Sequence, residues 1–326
     1  MRLAASLAQR RYRSGHGDRS RPPAPASTRR NAPPRPGKRR DSRATSARQA
    51  RTSLTALEPG SPTTWRYLPD DGERDPRTNL AREEAIARHV AADAAARTPV
   101  LRLWRDAPCA VIGRFQLAAA EVDLAAAAAL GAPVLRRFTG GGTVWHDQGN
   151  LNISVVLRPE DAVLAADSSL RRLPGLYRLV LAPLAAAVRS LGVAAEMTER
   201  DILAPGGKLS GVAAWLGGRA LLVHATLLVD ADLDALARVC NGPGAAGDPR
   251  WERTQSRRVG VTSIARELGG APAAADVEAA VLEAFGVDPA GRAALTPAER
   301  AAADRLLADR YRDPTWHTGE PVDGTR

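Results

Sequence analysis

The chain has 326 residues, room for one large domain or two small ones, and a formal net charge of +10. Residues 1–51 hold 15 basic and 2 acidic side chains, so the remainder is net −3, which argues against a folded surface that grips nucleic acid by bulk charge. No apolar run approaches the roughly 20 residues that cross a bilayer, so no membrane partner is expected; Cys109 and Cys240 form neither a disulfide framework nor a metal-ligand spacing, and a reducing cytosol is the default compartment.

Residues 1–60 alternate Arg, Ser, Pro and Ala with few large apolar groups, too little buried surface to offset ordering entropy, and read as a disordered tail. The same acidic-poor, Arg/Ser-rich composition fits an organelle transit peptide, which would place the protein in an organelle matrix, or a start codon assigned too far upstream. Order is expected from a short strand at Trp65–Leu68. A helix over Asn79–Ala96 carries Leu80, Ile86 and Val90 among abundant Ala, and buried strands follow at Val100–Trp104 and Cys109–Gly113. A helix over Leu117–Leu130 leads to a strand at Pro133–Phe138. Gly140-Gly141-Gly142 breaks the pattern, and strand resumes at Thr143–His146 and Leu151–Leu157.

Residues 170–191 show helical spacing of Leu176, Leu179, Val180, Leu184 and Val188, with Pro183 as a kink point. Leu209–Leu216 and Arg219–Val229 read as a hairpin joined by the two-residue loop Gly217-Gly218. The last segment is helical: Thr296-Pro297-Ala298-Glu299 supplies an N-cap, a Pro at the first helical position and a capping-box Glu. Strands interleaved with helices indicate an α/β or α+β fold over residues 61–265 with a helical extension over 266–326.

Three stretches carry chemistry. In Arg136-Arg137-Phe138-Thr139-Gly140-Gly141-Gly142-Thr143-Val144-Trp145-His146-Asp147, glycines between two strands let backbone N–H groups approach a ligand, and two arginines add fixed positive charge. No GK[ST] follows, and strand rather than helix comes next, so this is neither a Walker loop nor a dinucleotide fingerprint. A triple glycine alone is more often a flexible turn; with Arg-Arg before it and His-Asp after it, an anion site is the favoured reading.

The second stretch is Asp201 to Gly211, in which Lys208 follows a Pro-Gly-Gly turn. Of 46 basic residues 44 are Arg, the mark of a coding bias that turns Lys to Arg wherever charge alone is needed, and Lys208 is the single lysine of residues 52–326. An ammonium is a compact point charge and a guanidinium a broad fork, so a lysine kept here by other than chance neutralises a phosphate or polarises a carbonyl. The third is His224 in the apolar run Leu221–Val229. Counting outward from Gly217-Gly218 pairs Gly211 with His224 and puts Lys208 on the opposite face, so a bulge near Gly211 is required for both to line one pocket. A lone His in such a strand is usually a satisfied core group.

Together these stretches resemble the lipoate-protein ligase A family, within the biotin/lipoate ligase catalytic-domain superfamily. The matching runs are Asn79-Leu80-Ala81, Leu101–Trp104, Val111-Ile112-Gly113-Arg114 with Gln116, Arg136–Asp147, Gly149-Asn150-Leu151-Asn152, Lys208 with Ser210-Gly211, and His224 with Thr226-Leu227-Leu228, in order across residues 65–265. The resemblance implies a mixed β-sheet flanked by helices, similar to the cores of biotin ligases and class II aminoacyl-tRNA synthetases. It implies that ATP, with Mg2+, activates lipoate (or octanoate) to an acyl adenylate. A lysine of a lipoyl domain, in a 2-oxoacid dehydrogenase complex or a glycine cleavage H protein, then takes the acyl group. It also implies that Lys208 is the catalytic lysine at the acyl-adenylate carbonyl and phosphate, and that Arg136, Arg137, Thr139, Gly140–Gly142, His146, Asp147, Asn150, Asp201, Ser210, Gly211 and His224 bind acyl group and adenylate.

This sequence departs from the family in three ways. Arg200 precedes Asp201 where the family often has Asn. The chain ends soon after Trp316-His317-Thr318-Gly319, which resembles the end of the catalytic domain, so the accessory domain of larger members is expected to be absent or a separate subunit. Related octanoyl- and lipoyl-transferases carry the acyl group on a Cys, whereas Cys109 in a strand and Cys240 in a helix read as packing residues. The alternatives to an ATP-dependent ligase are thus an ATP-independent transferase and a non-catalytic module that binds lipoyl domains. Lipoate, octanoate and biotin are not distinguished.

Overall fold

The computed structural model describes residues 65–319 except 94, 97, 162–163 and 165–171. The expected tail over residues 1–60 lies outside the described residues. Among the latter, no helix is long and apolar enough to cross a membrane.

A seven-stranded sheet organises the chain. Its strands are β1 (Arg66–Leu68), β2 (Val100–Trp104), β6 (Asn150–Leu157), β7 (Glu196–Met197), β8 (Asp201–Ala204), β9 (Gly207–Leu216) and β10 (Leu221–Leu228). The spatial order is β1-β2-β6-β10-β9-β8-β7, with β1 and β2 parallel and every other neighbouring pair antiparallel. A smaller sheet, order β4-β3-β5, is built from β3 (Cys109–Ile112), β4 (Val134–Arg136) and β5 (Val144–His146). This is the mixed α/β architecture expected from the alternation of elements.

Strand β6 shows how the sequence sets the two faces. Leu151, Ile153, Val155 and Leu157 alternate with Asn150, Asn152, Ser154 and Val156, and successive side chains point to opposite sides. The aliphatic set joins Leu101, Leu103, Val223, Ala225 and Leu227 in a core sealed by the helix Leu173–Ser190 (here α4) through Leu176, Leu179, Val180, Leu184 and Val188, and by Val277, Val281 and Leu282 of Ala274–Phe285. Pro183 lies inside α4, as the sequence indicates. The polar set faces the other way, toward α1 (Pro76–Ala92) and the small sheet, and this second interface holds the cavity described below.

Several boundaries differ from the sequence reading for local reasons. Helix α1 starts at Pro76 because the Asp75 carboxylate accepts from the N–H groups of Arg77 and Thr78, and it stops at Ala92. The expected helix over 117–130 is two, α2 (Ala118–Glu121) and α3 (Leu124–Ala129), because Asp123 caps the second through the Ala126 N–H. The capping box at Thr296 and Glu299 forms as read and starts the helix Pro297–Leu306. The hairpin loop has four residues rather than two. Leu216 pairs with Leu221 and Gly217 N–H donates to Ala220 O at 2.9 Å, so Gly211 faces Thr226 and Ala213 faces His224.

Candidate functional site

Between the polar face of the large sheet and the inner edge of the small sheet lies a cavity of about 370 Å³. Its floor follows two rows across the strands: Gly211, Thr226, Asn152 and Trp104 in one, Ala213 and His224 in the next, a row that Ser154 and Arg102 continue outside the lining.

Lys208 stands at the mouth. Between Ser210, paired with Ile202, and Lys208, paired with Leu203, strand β9 carries Leu209 as an extra residue, a bulge that inverts the alternation. Leu209 and Ser210 both turn into the buried side while Lys208 comes to the cavity face, its Nζ 2.9 Å from the place a Gly211 Cβ would occupy. The backbone is fixed on its other edge by Lys208 N–H to Gly260 O (2.9 Å) and Thr262 N–H to Lys208 O (3.0 Å). Lys208 Nζ and Asp201 Oδ1 are 2.6 Å apart, and Arg257 approaches Asp201 Oδ2 at 4.0 Å.

The glycine loop forms the wall opposite. Arg137 lies beneath it and donates to Gly140 O and Gly142 O (both 2.7 Å), to Val111 O (3.2 Å) and to Thr139 Oγ1 (3.0 Å). Burial holds its pKa down at about 10, and the nearby Glu83 charge opposes that fall. Its partners are carbonyls and a hydroxyl, so the cation is held in place without being neutralised, an arrangement that favours an anion above the loop. Gly141 has φ 89° and a Cβ there would lie 2.8 Å from both Ala213 Cβ and Arg137 Nη2; a Cβ on Gly113 would lie 2.1 Å from Gly141 O. Only glycine admits that approach.

His224 lines the cavity and is tied at both nitrogens, Nδ1 to Glu83 Oε1 at 2.9 Å and Nε2 to Thr139 Oγ1 at 3.0 Å. Glu83 Oε1 also accepts from Ser154 Oγ at 2.6 Å. Burial alone would push the Glu83 carboxyl up, but the His224 contact and the Ser154 hydroxyl carry it below its ordinary value. His146 donates from Nδ1 to Asp106 Oδ2 (2.9 Å), and Asp106 Oδ1 accepts from Asn79 Nδ2 (2.9 Å). Asp106, Cys109 and His146 bring their potential ligand atoms within 4.8 Å of one another, with the carboxylate already engaged by His146 and Asn79.

Of the residues singled out in the sequence, Lys208, Asp201, Arg137, Gly141, Gly142, Gly211, His146 and His224 line this cavity. Thr139 and Gly140 support it through their bonds to His224 and Arg137. Arg136, Asp147, Asn150 and Ser210 do not line it. Arg136 is fully buried and donates to the carbonyls of Arg114, Gln116, Trp316 and Gly319, fastening the C-terminal segment to β4. Asp147 accepts from Trp145 Nε1 and from the Gly149 and Asp232 N–H groups, a turn-forming role. Asn150 donates to Asn152, and Ser210 sits on the core face beside Ile202.

Unread as site residues were Glu83, Trp104, Gln116, Thr143, Asn152, Arg253, Ser256 and Arg257. A segment at 253–257 closes over the glycine loop: Ser256 Oγ accepts from Thr143 N–H (2.8 Å) and Gln116 Nε2 (3.1 Å), and Ser256 N–H donates to Glu121 (3.1 Å). Cys109 is fully buried, with its thiol pushed up by burial, and Cys240 is pushed up to about 12 by burial and by Glu121; neither lines the cavity.

The family profile of the lipoyl protein ligase A/B catalytic domain matches residues 75–286. "Lipoate-protein ligase A subunit 1" of Thermoplasma acidophilum is 34% identical over 178 residues, 51% of this chain and 63% of that protein. "Octanoyltransferase LipM" of Kyrpidia tusciae is 31% identical over 286 residues, 78% of this chain and 98% of that protein. A crystal structure of lipoate-protein ligase A bound with ATP superposes with a TM-score of 0.60 at 27% identity, covering 78% of this chain and 98% of that one. The chain spans less than two thirds of the length of the first two archaeal ligases it matches, 63% and 58%.

Proposed function

Because the chain belongs to the lipoyl protein ligase A/B catalytic-domain family, we propose that it joins lipoate or a related acyl acid to a lysine of a lipoyl domain by way of an acyl adenylate. The observation that carries this reading is Lys208: an ammonium, paired with Asp201 at 2.6 Å, fixed by a bulge at the mouth of a cavity walled by a cation-backed glycine loop. ATP binding by the superposed ligase supports the adenylate route.

The chain's own groups suit each stage. The acyl carboxylate enters beside Lys208 and attacks the α-phosphorus of ATP, releasing pyrophosphate. The Lys208 ammonium offsets the charge gathered on carbonyl and phosphate oxygens, and the glycine loop above Arg137 presents backbone and positive field to the same anion. When the acceptor lysine adds to the carbonyl, the negative charge returns to that oxygen, again beside Lys208, and AMP leaves. Asp201 and Glu83 are the lining carboxylates, and Asp201 Oδ2 has only the 4.0 Å contact with Arg257, so Asp201 is the residue that would meet a Mg2+ held chiefly by nucleotide phosphates and water. Mg2+ would shield phosphate charge there. The acceptor is a lipoyl domain of a 2-oxoacid dehydrogenase complex or of a glycine cleavage H protein, and the subunit naming of the archaeal relative supports a separate accessory polypeptide.

The transferase alternative draws on the near-full-length match to an octanoyltransferase. The burial of both thiols outside the cavity opposes a cysteine-borne thioester. Incubating an apo lipoyl domain with the protein separates the two by mass spectrometry: acylation with ATP plus lipoate supports the ligase, acylation with octanoyl-carrier protein and no ATP supports the transferase. Acylation under neither condition overturns both.

A further inference from the structure

Three polar atoms at the inner part of the cavity have no hydrogen-bond partner among the described residues: Asn152 Nδ2, His146 Nε2 and Glu83 Oε2. Their residues line the cavity and are 2%, 4% and 1% exposed. Burying such atoms unpaired is costly; Glu83 Oε2 and His146 Nε2 are acceptors that water can serve, and Asn152 Nδ2 is the donor among them. Each is aimed. Asn152 Oδ1 accepts from Asn150 Nδ2 at 3.0 Å, which turns the amide nitrogen to the cavity, and the Asp106 contact at 2.9 Å fixes the His146 ring. Trp104 meets that ring edge-on, 5.6 Å between centroids.

Position says what these atoms meet. Lys208 Nζ sits over Gly211, and the register runs from Gly211 through Thr226 to Asn152, two strand spacings or about 10 Å. That is the reach of an extended acyl chain of about eight carbons, with carbon–carbon bonds near 1.5 Å along a zigzag. With the carbonyl at Lys208, the tail ends among Asn152, His146 and Trp104. A methyl terminus leaves the Asn152 N–H unpaired, whereas sulfur accepts weakly from N–H and packs favourably at aromatic edges.

We infer that Asn152 determines acyl specificity. Its Nδ2 donates to sulfur at the far end of the chain, beside the touching His146 and Trp104 rings, so that the cavity takes a dithiolane-bearing eight-carbon acid in preference to the plain one. The inference rests on the acyl-transfer reading of the cavity. Calorimetric titration of the full chain with lipoate and with octanoate tests it. The wild type is expected to bind lipoate about tenfold tighter. Asn152→Leu brings the ratio near one, weakening lipoate and tightening octanoate, and Asn152→Ser, whose hydroxyl still donates but from a shorter side chain drawn back from the sulfur, weakens lipoate as well. A wild-type ratio near one, or a ratio both variants leave intact, overturns the inference and leaves the acyl cavity standing, with water serving the polar atoms. Failure of the wild type to bind either acid overturns the acyl reading itself.

Discussion

Lys208 and His224 line one cavity although they would occupy opposite faces of a regular hairpin, because Leu209 is an extra residue on β9. The bulge serves two demands of the same strand: Leu209 fills the core against α4 while Lys208 keeps its ammonium beside Asp201 at 2.6 Å.

That geometry makes Lys208→Ala a test of mechanism rather than of folding. The side chain is at the mouth and its loss removes no core contact, so thermal stability should change little. Removing a positioned cation from a developing oxyanion should lower acyl transfer about 100- to 1,000-fold, on the scale of a lost oxyanion donor. Lys208→Arg should recover only a small part, since a broad fork must fit where the ammonium has 2.9 Å to the Gly211 Cβ position. Pyrophosphate release and lipoyl-domain acylation measure it; unchanged rates in the Ala variant would refute the assigned role.

Adjacent arginines invite the opposite pair of outcomes. Arg136 holds the carbonyls of Trp316 and Gly319, and Arg137 those of Gly140 and Gly142. Arg136→Met should cost about 3 kcal/mol, because several buried carbonyls lose a charged donor, and leave acid affinity nearly unchanged in the fraction that remains folded. Arg137→Met should lose stability and also ligand affinity, since the positive field beneath the glycine loop disappears. Thermal unfolding paired with titration of the acid separates the two; equal effects on affinity would show that both face the ligand.

The alternating strands, the long helix and the three chemical stretches were legible because each is a local pattern of period two, period 3.6 or glycine clustering. The hairpin register was not, since a four-residue loop shifts pairing without changing composition, although the bulge near Gly211 that the sequence reading required is present. Arg136 and Arg137 are identical as sequence, and alternation along β4 sends one toward the C-terminal helix and the other beneath the loop. Two missed residues did leave a signal. Glu83 is an acid on the apolar face of α1 near Leu80 and Ile86, and Asn150, Asn152 and Ser154 place polar groups at every second position of an otherwise aliphatic strand. Ser256 left none, because its value depends on a chain reversal that brings it against Thr143.

Acid should loosen the C-terminal helix Pro314–Thr318. His317 Nδ1 accepts from Arg136 N–H at 2.9 Å and Nε2 donates to Tyr311 O at 2.8 Å, a neutral ring with both nitrogens used. Burial, with the Arg77 and Arg136 charges, holds its pKa below the ordinary 6.5. A depressed folded value means that the unfolded chain takes the proton first. The contribution is therefore complete above pH 6.5 and is lost as pH falls through the lower folded value. Denaturant midpoints at pH 7.5 and pH 5 should differ more for the wild type than for His317→Gln, which should be less stable at pH 7.5. An equal pH dependence in the two proteins would count against this assignment.

The cysteines decide whether the proposed reaction ever holds the acyl group covalently on the protein. A thioester route needs a thiolate that reaches the carbonyl beside Lys208. Cys109 is buried in β3 with its thiol raised well above the ordinary range, and Cys240, following the helix Leu233–Val239, is pushed up to about 12. Neither lines the cavity, and both pack against apolar side chains. A double Cys109→Ala, Cys240→Ser protein should therefore acylate a lipoyl domain within about twofold of the wild-type rate, losing a little stability at the Cys109 site. No acyl-enzyme should appear by mass spectrometry when the wild type is given ATP and lipoate without an acceptor. A double variant that folds but no longer acylates under any donor would restore the cysteine-dependent transferase.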